Sequence, residues 1–171
     1  MQTSSDPTLD RLLRHMAWAN AHVLGRIAGL PDEALACTEP GSEWTVAMTL
    51  EHLVSAAGGY ASRLDGTPRS PGGAPPRHAA EVAGLAAACE GYDARLRGAA
   101  AEPEGVVEYV LEGEIRRRAR STILAQSIHH ATEHRAQIAG ALAANGYDQA
   151  RGIDLDAIDL WAYGEAEGSG A

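Results

Sequence analysis

Four times along this chain, apolar residues recur at three- and four-residue steps, and glycine or proline stops each run. That spacing gathers them on one face of an α-helix, and such a face must be buried against another. The first run holds Leu9, Leu12, Leu13, Met16, Val23, Leu24 and Ile27. Asp6-Pro7 gives it a capping carboxylate and a proline at the first helical position, and Gly29-Leu30-Pro31 ends it. Thr45 caps a second run of Val46, Leu50, Leu53, Ala57, Tyr60 and Leu64. The third is Val82, Leu85, Cys89, Tyr92 and Leu96, stopped by Pro103 and Gly105. Ser121 is the expected cap of the fourth, which carries Leu124, Ile128, Ala131, Ile138 and Leu142 and closes at Asn145-Gly146.

Four such helices without internal repeats predict an all-α fold, a four-helix bundle of up-down-up-down order. Three stretches stand outside the pattern. Asp65 to Pro76 is too rich in proline and glycine for helix or central strand, and reads as a mobile loop within the domain. Val106 to Arg118 begins with β-formers and holds Glu112-Gly113, so it is either a short hairpin or a distorted lead-in to the last long helix. Leu155, Ile158, Leu160, Trp161 and Tyr163 suggest a short C-terminal helix across one end. The expected organisation is one domain over residues 1–163 and a disordered tail over 164–171.

The formal charge of −9 argues against a nucleic-acid partner, because a phosphate-binding surface needs a basic footprint. Arg116-Arg117-Arg118 then reads as a solvated face or a partner for anionic substrate groups. Cys37 and Cys89 lack CxxC spacing, and Cys89 falls in a core stripe, where a thiol is a small inert hydrophobe. No basic-then-apolar leader opens the chain, and no apolar stretch approaches the roughly 20 residues of a membrane span. The expectation is a cytoplasmic protein with no membrane partner.

Chemistry concentrates in the fourth helix, at His129-His130-Ala131-Thr132-Glu133-His134-Arg135-Ala136-Gln137. With Ile138 as the zero of a helical wheel, His134 falls at about −40° and His130 at about −80°, within or at the edge of the buried arc. His129 and Glu133 turn away. Two histidines four apart can reach one point and supply half of a tetrahedral metal site, or they can be hydrogen-bonded core-edge residues. Ala131 stands where the glutamate of an HExxH protease would be, so the motif brings no general base and no catalytic residue is assigned. A third ligand must come from another helix. With the second and fourth helices parallel, His52 and His22 both fall at a comparable height, and spacing leaves both open.

Trp18-Ala19-Asn20, Trp44-Thr45-Val46 leading to Leu50-Glu51-His52-Leu53, and His130 to Ile138 together resemble the DinB/YfiT-like family. The resemblance runs over roughly residues 8 to 163, and Ala136 replaces the family's usual glycine. It implies a four-helix bundle, a divalent metal such as zinc or nickel on His52, His130 and His134, and a homodimer. It also implies a transferase acting through a low-molecular-weight thiol of the bacillithiol or mycothiol type. The alternatives are a metal-dependent hydrolase and a non-catalytic metal- or ligand-binding stress-response protein. For a small-molecule substrate, Asn20 and Tyr60 are candidate pocket residues. Asn20, a polar residue in an apolar arc, reads equally as a buried hydrogen-bonding group. Arg135 and Gln137 could position an anionic or polar group, with Arg135 equally suited to a structural ion pair.

Overall fold

The computed structural model describes residues 6–168. Helix α1 (Pro7–Ala28) starts on Asp6, whose carboxylate accepts from the Thr8 and Leu9 amides at 2.8 and 3.4 Å. Thr45 Oγ1 accepts from the Met48 amide to start α2 (Val46–Asp65), and Gly66, at φ 73°, ends it. Next come α3 (Val82–Ala100), strands β1 (Val106–Leu111) and β2 (Glu114–Ala119), α4 (Arg120–Ala144) and α5 (Leu160–Ala166).

The hairpin reading of 106–118 is the one the structure adopts, so the fold is mostly helical with a two-stranded antiparallel sheet rather than all-α. Glu112 and Gly113 both have positive φ, 53° and 80°, as a two-residue turn matching the twist of the strands requires. Helix α4 departs from expectation at its start. Its cap is Ala119, and Ser121 lies in the first turn, giving its amide and hydroxyl to the Glu104 carboxylate at 3.0 and 2.9 Å. The negative group at this helix end thus comes from the preceding loop, which a cap search along the helix itself misses.

Helix directions correct the expected topology. Leu9 at the start of α1 shares a cavity wall with Ala100 and Ala101 at the end of α3, while Asn20 bonds Asp93 further back, so α1 and α3 are antiparallel. Gly58 lies against Tyr92, and Ser62 and Asp65 bond Arg95, so α2 and α3 are parallel. Thr49 meets Gln137 and Ala141 while His52 meets His130, so α2 and α4 are antiparallel. The order is therefore up, down, down, up. Parallel neighbours need a connection that travels a whole helix length, about 30 Å for the 20 residues of α2. Residues 66–78 provide it. The stretch expected to be a loop is laid back along α2, with Arg69 beside Gly59 and Gly72 against Glu51 and Ser55, and His78 reaches Asp32 at the far end. Proline holds such a strap extended without using helix hydrogen bonds.

The interior has two apolar halves. One holds Val23, Leu24, Ile27, Val46, Leu50, Ile138 and Leu142. The other holds Leu13, Met16, Leu53, Leu64, Leu96, Ile123 and Leu124. Asn20, Asp93 and Arg135 fall between the halves along their helices, making a polar layer inside the core. At the C-terminus, α5 continues through Gly164, Glu165 and Ala166, so helix occupies the start of the expected tail. Glu167 ties it to Arg11 and Arg14 at 2.9 and 2.8 Å. Residues 169–171 of that expectation lie outside the described residues. Among the described residues no helix is long and apolar enough to cross a membrane.

Candidate metal centre

Helix α4 presents His130 and His134 one turn apart, and α2 brings His52 to the same point from the opposite direction. His130 Nε2 is 3.2 Å from His52 Nε2 and 3.0 Å from His134 Nε2. One nitrogen from each ring lies within 4.8 Å of the others, so the three could hold a metal ion. His22, the other candidate third ligand, is exposed and turns Nδ1 to the Trp18 carbonyl of its own helix at 2.8 Å. His129 and Glu133 are exposed, as the wheel places them.

The donor chemistry fits a cation. His134 Nδ1 donates to Gln137 Oε1 at 2.6 Å, so a neutral His134 ring turns a lone pair toward the cluster. A proton on His130 Nε2 points at one neighbour and leaves the other contact short of a donor. Three nitrogens at about 2.0–2.1 Å from a tetrahedral ion would stand roughly 3.3 Å apart, close to the spacings found. Burial, with the neighbouring imidazoles, pulls the His130 pKa down to about 4, and burial also lowers that of His52. Both rings are therefore neutral near pH 7, as metal ligands must be.

Aromatic walls fix the rings. Trp44 meets His52 edge-on at 5.1 Å between centroids, and Tyr60 meets His130 edge-on at 5.6 Å. Tyr60 is thus placed beside the cluster, though it does not line the cavity next to His134. On the other side, a cavity of about 270 Å³ opens beside His134, walled by Glu39, Ser42, Trp44, Thr49 and Gln137.

Asn20 and Arg135 do not reach this cavity. They are 1% and 3% exposed and belong to the polar layer. Arg135 donates to Asn20 Oδ1 at 2.7 Å and to Thr132 Oγ1 at 3.0 Å, and Asn20 Nδ2 donates to Asp93 Oδ2 at 3.1 Å. Asn20 thus stands as a buried hydrogen-bonding group, and Arg135 meets an amide and a hydroxyl rather than the carboxylate of an ion pair. Burial brings the Arg135 pKa down to about 10 and raises that of Asp93. Cys89 is buried beside Asp93, with its thiol raised far above the ordinary range, in keeping with an inert core residue.

Two residues took on roles the sequence did not indicate. Gln137, which also walls the cavity, accepts from the His134 ring, and its place three residues after His134 on one helix face is a signal that could have found that contact. Glu39 sits in the loop before Pro40-Gly41, with its carboxylate against Gly140 of α4, and nothing in its local sequence marks it. The site and fold define a helical protein with a three-histidine cluster that could hold a metal ion, beside an open cavity. The DinB family profile matches residues 1–158, and the chain belongs to the DinB family. No curated protein and no solved structure matches it.

Proposed function

We propose that this DinB protein is a four-helix bundle in which His52, His130 and His134 hold a divalent ion of the zinc or nickel class. We further propose that it joins a low-molecular-weight thiol to an electrophilic small molecule. The convergence of three ring nitrogens on one point, with a cavity at its side, carries this reading. Structural zinc sites are closed by four protein ligands, whereas three leave a position for an exchangeable partner. A bound divalent ion would hold a thiol as its thiolate at neutral pH. The chain's own groups do the rest. Gln137 fixes the His134 tautomer, Trp44 and Tyr60 hold the other two rings, and Ser42, Thr49 and Glu39 offer polar contacts where the electrophile would lie. In the reaction the sulfur–carbon bond forms as the carbon–leaving-group bond breaks. The leaving group takes the bonding pair, and the thiol proton passes to solvent.

Glu39 supports a second reading, hydrolysis, because it shares one cavity wall with His134, and its carboxylate could deprotonate a water there. The two separate on one requirement. Elemental analysis of the full chain is expected to give one metal per chain, lost in His52→Ala and His134→Ala. Consumption of a model electrophile should then require added thiol and vanish in His130→Ala. Turnover without thiol that fails in Glu39→Gln would favour hydrolysis. Absence of metal after reconstitution would overturn both. Mass measurement of the same preparations tests the homodimer that family likeness implies.

A further inference from the structure

Another cavity, of about 310 Å³, lies between α2, the proline-rich strap and β1. Arg63 and Arg69 both line it, with Ser62, Thr67 and Tyr109. The Arg63 guanidinium sits between two phenol rings, 5.3 Å from the centroid of Tyr60 and 5.1 Å from that of Tyr109. Such a slot fixes the cation without neutralising it. Among the described residues neither arginine has a carboxylate within ion-pair distance. The two acids nearby are otherwise engaged. Glu108, which lines the cavity, pairs with Arg117 at 2.9 Å, and Asp65 pairs with Arg95 at 2.8 Å. In a chain of net charge −9, two unpaired guanidinium groups sharing one concave surface form a local exception.

The cavity is also built rather than incidental. The Asp65 carboxylate accepts from the Thr67 amide and hydroxyl at 3.0 and 2.7 Å, which sets the first turn of the strap. Arg95 clamps the same carboxylate and Thr67. Arg69 then follows Pro68 and lies alongside Gly59 of α2. The Tyr60 ring neighbours both groups, 5.3 Å from the Arg63 guanidinium and 5.6 Å from the His130 ring.

We propose that Arg63 and Arg69 bind an oxyanion, a carboxylate or phosphate, borne by a small molecule whose other end reaches the histidine cluster. The anion site stands on its own geometry, and its link to the reaction rests on the metal-centre reading. Guanidinium groups suit both anions because each presents paired N–H donors to two oxygens.

The test titrates the full-length protein with inorganic phosphate and, separately, with succinate at constant ionic strength, following the arginine Nε–H signals by NMR. Saturable shifts at Arg63 and Arg69 are expected, with affinity about tenfold or more weaker in Arg63→Gln/Arg69→Gln. Arg69→Gln alone, on the exposed strap, should weaken binding without disturbing the core, and Arg118→Gln should leave it unchanged. Binding should survive in His52→Ala, which separates failure of this site from failure of the metal centre. Response to phosphate alone identifies a phosphate ester, and response to succinate alone identifies a carboxylate. No saturable shift with either anion overturns the proposal, as does equal loss in Arg118→Gln and Arg69→Gln.

Discussion

His134 and Arg135 are neighbours in sequence on α4, yet they enter polar clusters of opposite kind. On the Arg135 side the groups complete one another, as Arg135 reaches Asn20 and Asn20 reaches Asp93. Only Asp93 Oδ1 lacks a partner there. On the His134 side the rings point the same kind of atom at one another, 3.0 and 3.2 Å apart. The first cluster matches donors to acceptors at all but that one oxygen and lies buried between the two halves of the core, with Asp93 also walling a cavity of about 520 Å³. The second gathers like atoms that a metal ion could bridge, beside the cavity at His134. A buried polar group therefore reveals its role less by burial than by whether its partners are complementary or alike.

The sharpest way to break this contrast is to remove the centre of the buried cluster. Arg135→Met strands Asn20 and Asp93 in the core and is expected to lower unfolding free energy by about 3–5 kcal/mol. Urea denaturation followed by tryptophan fluorescence reads the loss. A drop below about 1 kcal/mol would mean that the layer is not what joins the core halves.

The open cluster should behave differently, with its stability borrowed from the metal ion. With metal at a hundredfold excess over its dissociation constant, chelation should remove about 2.7 kcal/mol from the wild type. It should remove nothing from His134→Ala, whose metal-free stability stays near that of metal-free wild type. A chelator effect that persists in the variant places the ion elsewhere. A finer test is Gln137→Leu, which leaves the three ligands but removes the acceptor at His134 Nδ1. Metal affinity is expected to fall about 10- to 100-fold, with the fold unchanged. Full affinity in this variant would show that ring orientation comes from packing alone.

The two clusters were unequally legible in the sequence. Helical periodicity placed the long helices, the hairpin turn showed itself in Glu112-Gly113, and the wheel separated His129 from His130. Direction along each helix was not legible, because amphipathic stripes look the same read from either end. The expected parallel setting of α2 and α4 is therefore corrected, and the loop of residues 66–78 keeps its irregular backbone but runs back along α2. His52 meets His130 and His134 by antiparallel crossing, so spacing offered the right residue on a wrong geometry, and family resemblance was what chose it. Asp93 is not legible because an acid beside Glu90 in an alanine-rich helix resembles a surface residue. Its partner Asn20 lies 73 positions away, a distance that only the fold closes.

The smallest expected effect compares how the clusters respond to acid, in metal-free protein. Burial favours the neutral form in both, but the neutral form of a histidine has lost a proton and that of a carboxyl has kept one. His130 is lowered from 6.5 to about 4, so the folded state binds fewer protons than the unfolded chain. Its contribution is complete above pH 6.5 and is lost as pH falls toward 4. Asp93 is raised above 3.8, so its contribution is complete below that value and is lost as pH rises through its folded pKa. His130→Gln should therefore flatten the loss of stability between pH 6.5 and 4, leaving that at higher pH unchanged. Asp93→Asn should act in the opposite direction, improving stability at pH 7 relative to acid. Solvent at the half-buried His130 reduces its effect below what the shift alone implies. Denaturation midpoints of the three proteins across pH 4–7 decide the matter. Parallel curves would mean that neither group is held neutral by the fold, and the contrast between the clusters would then rest on hydrogen-bond geometry alone.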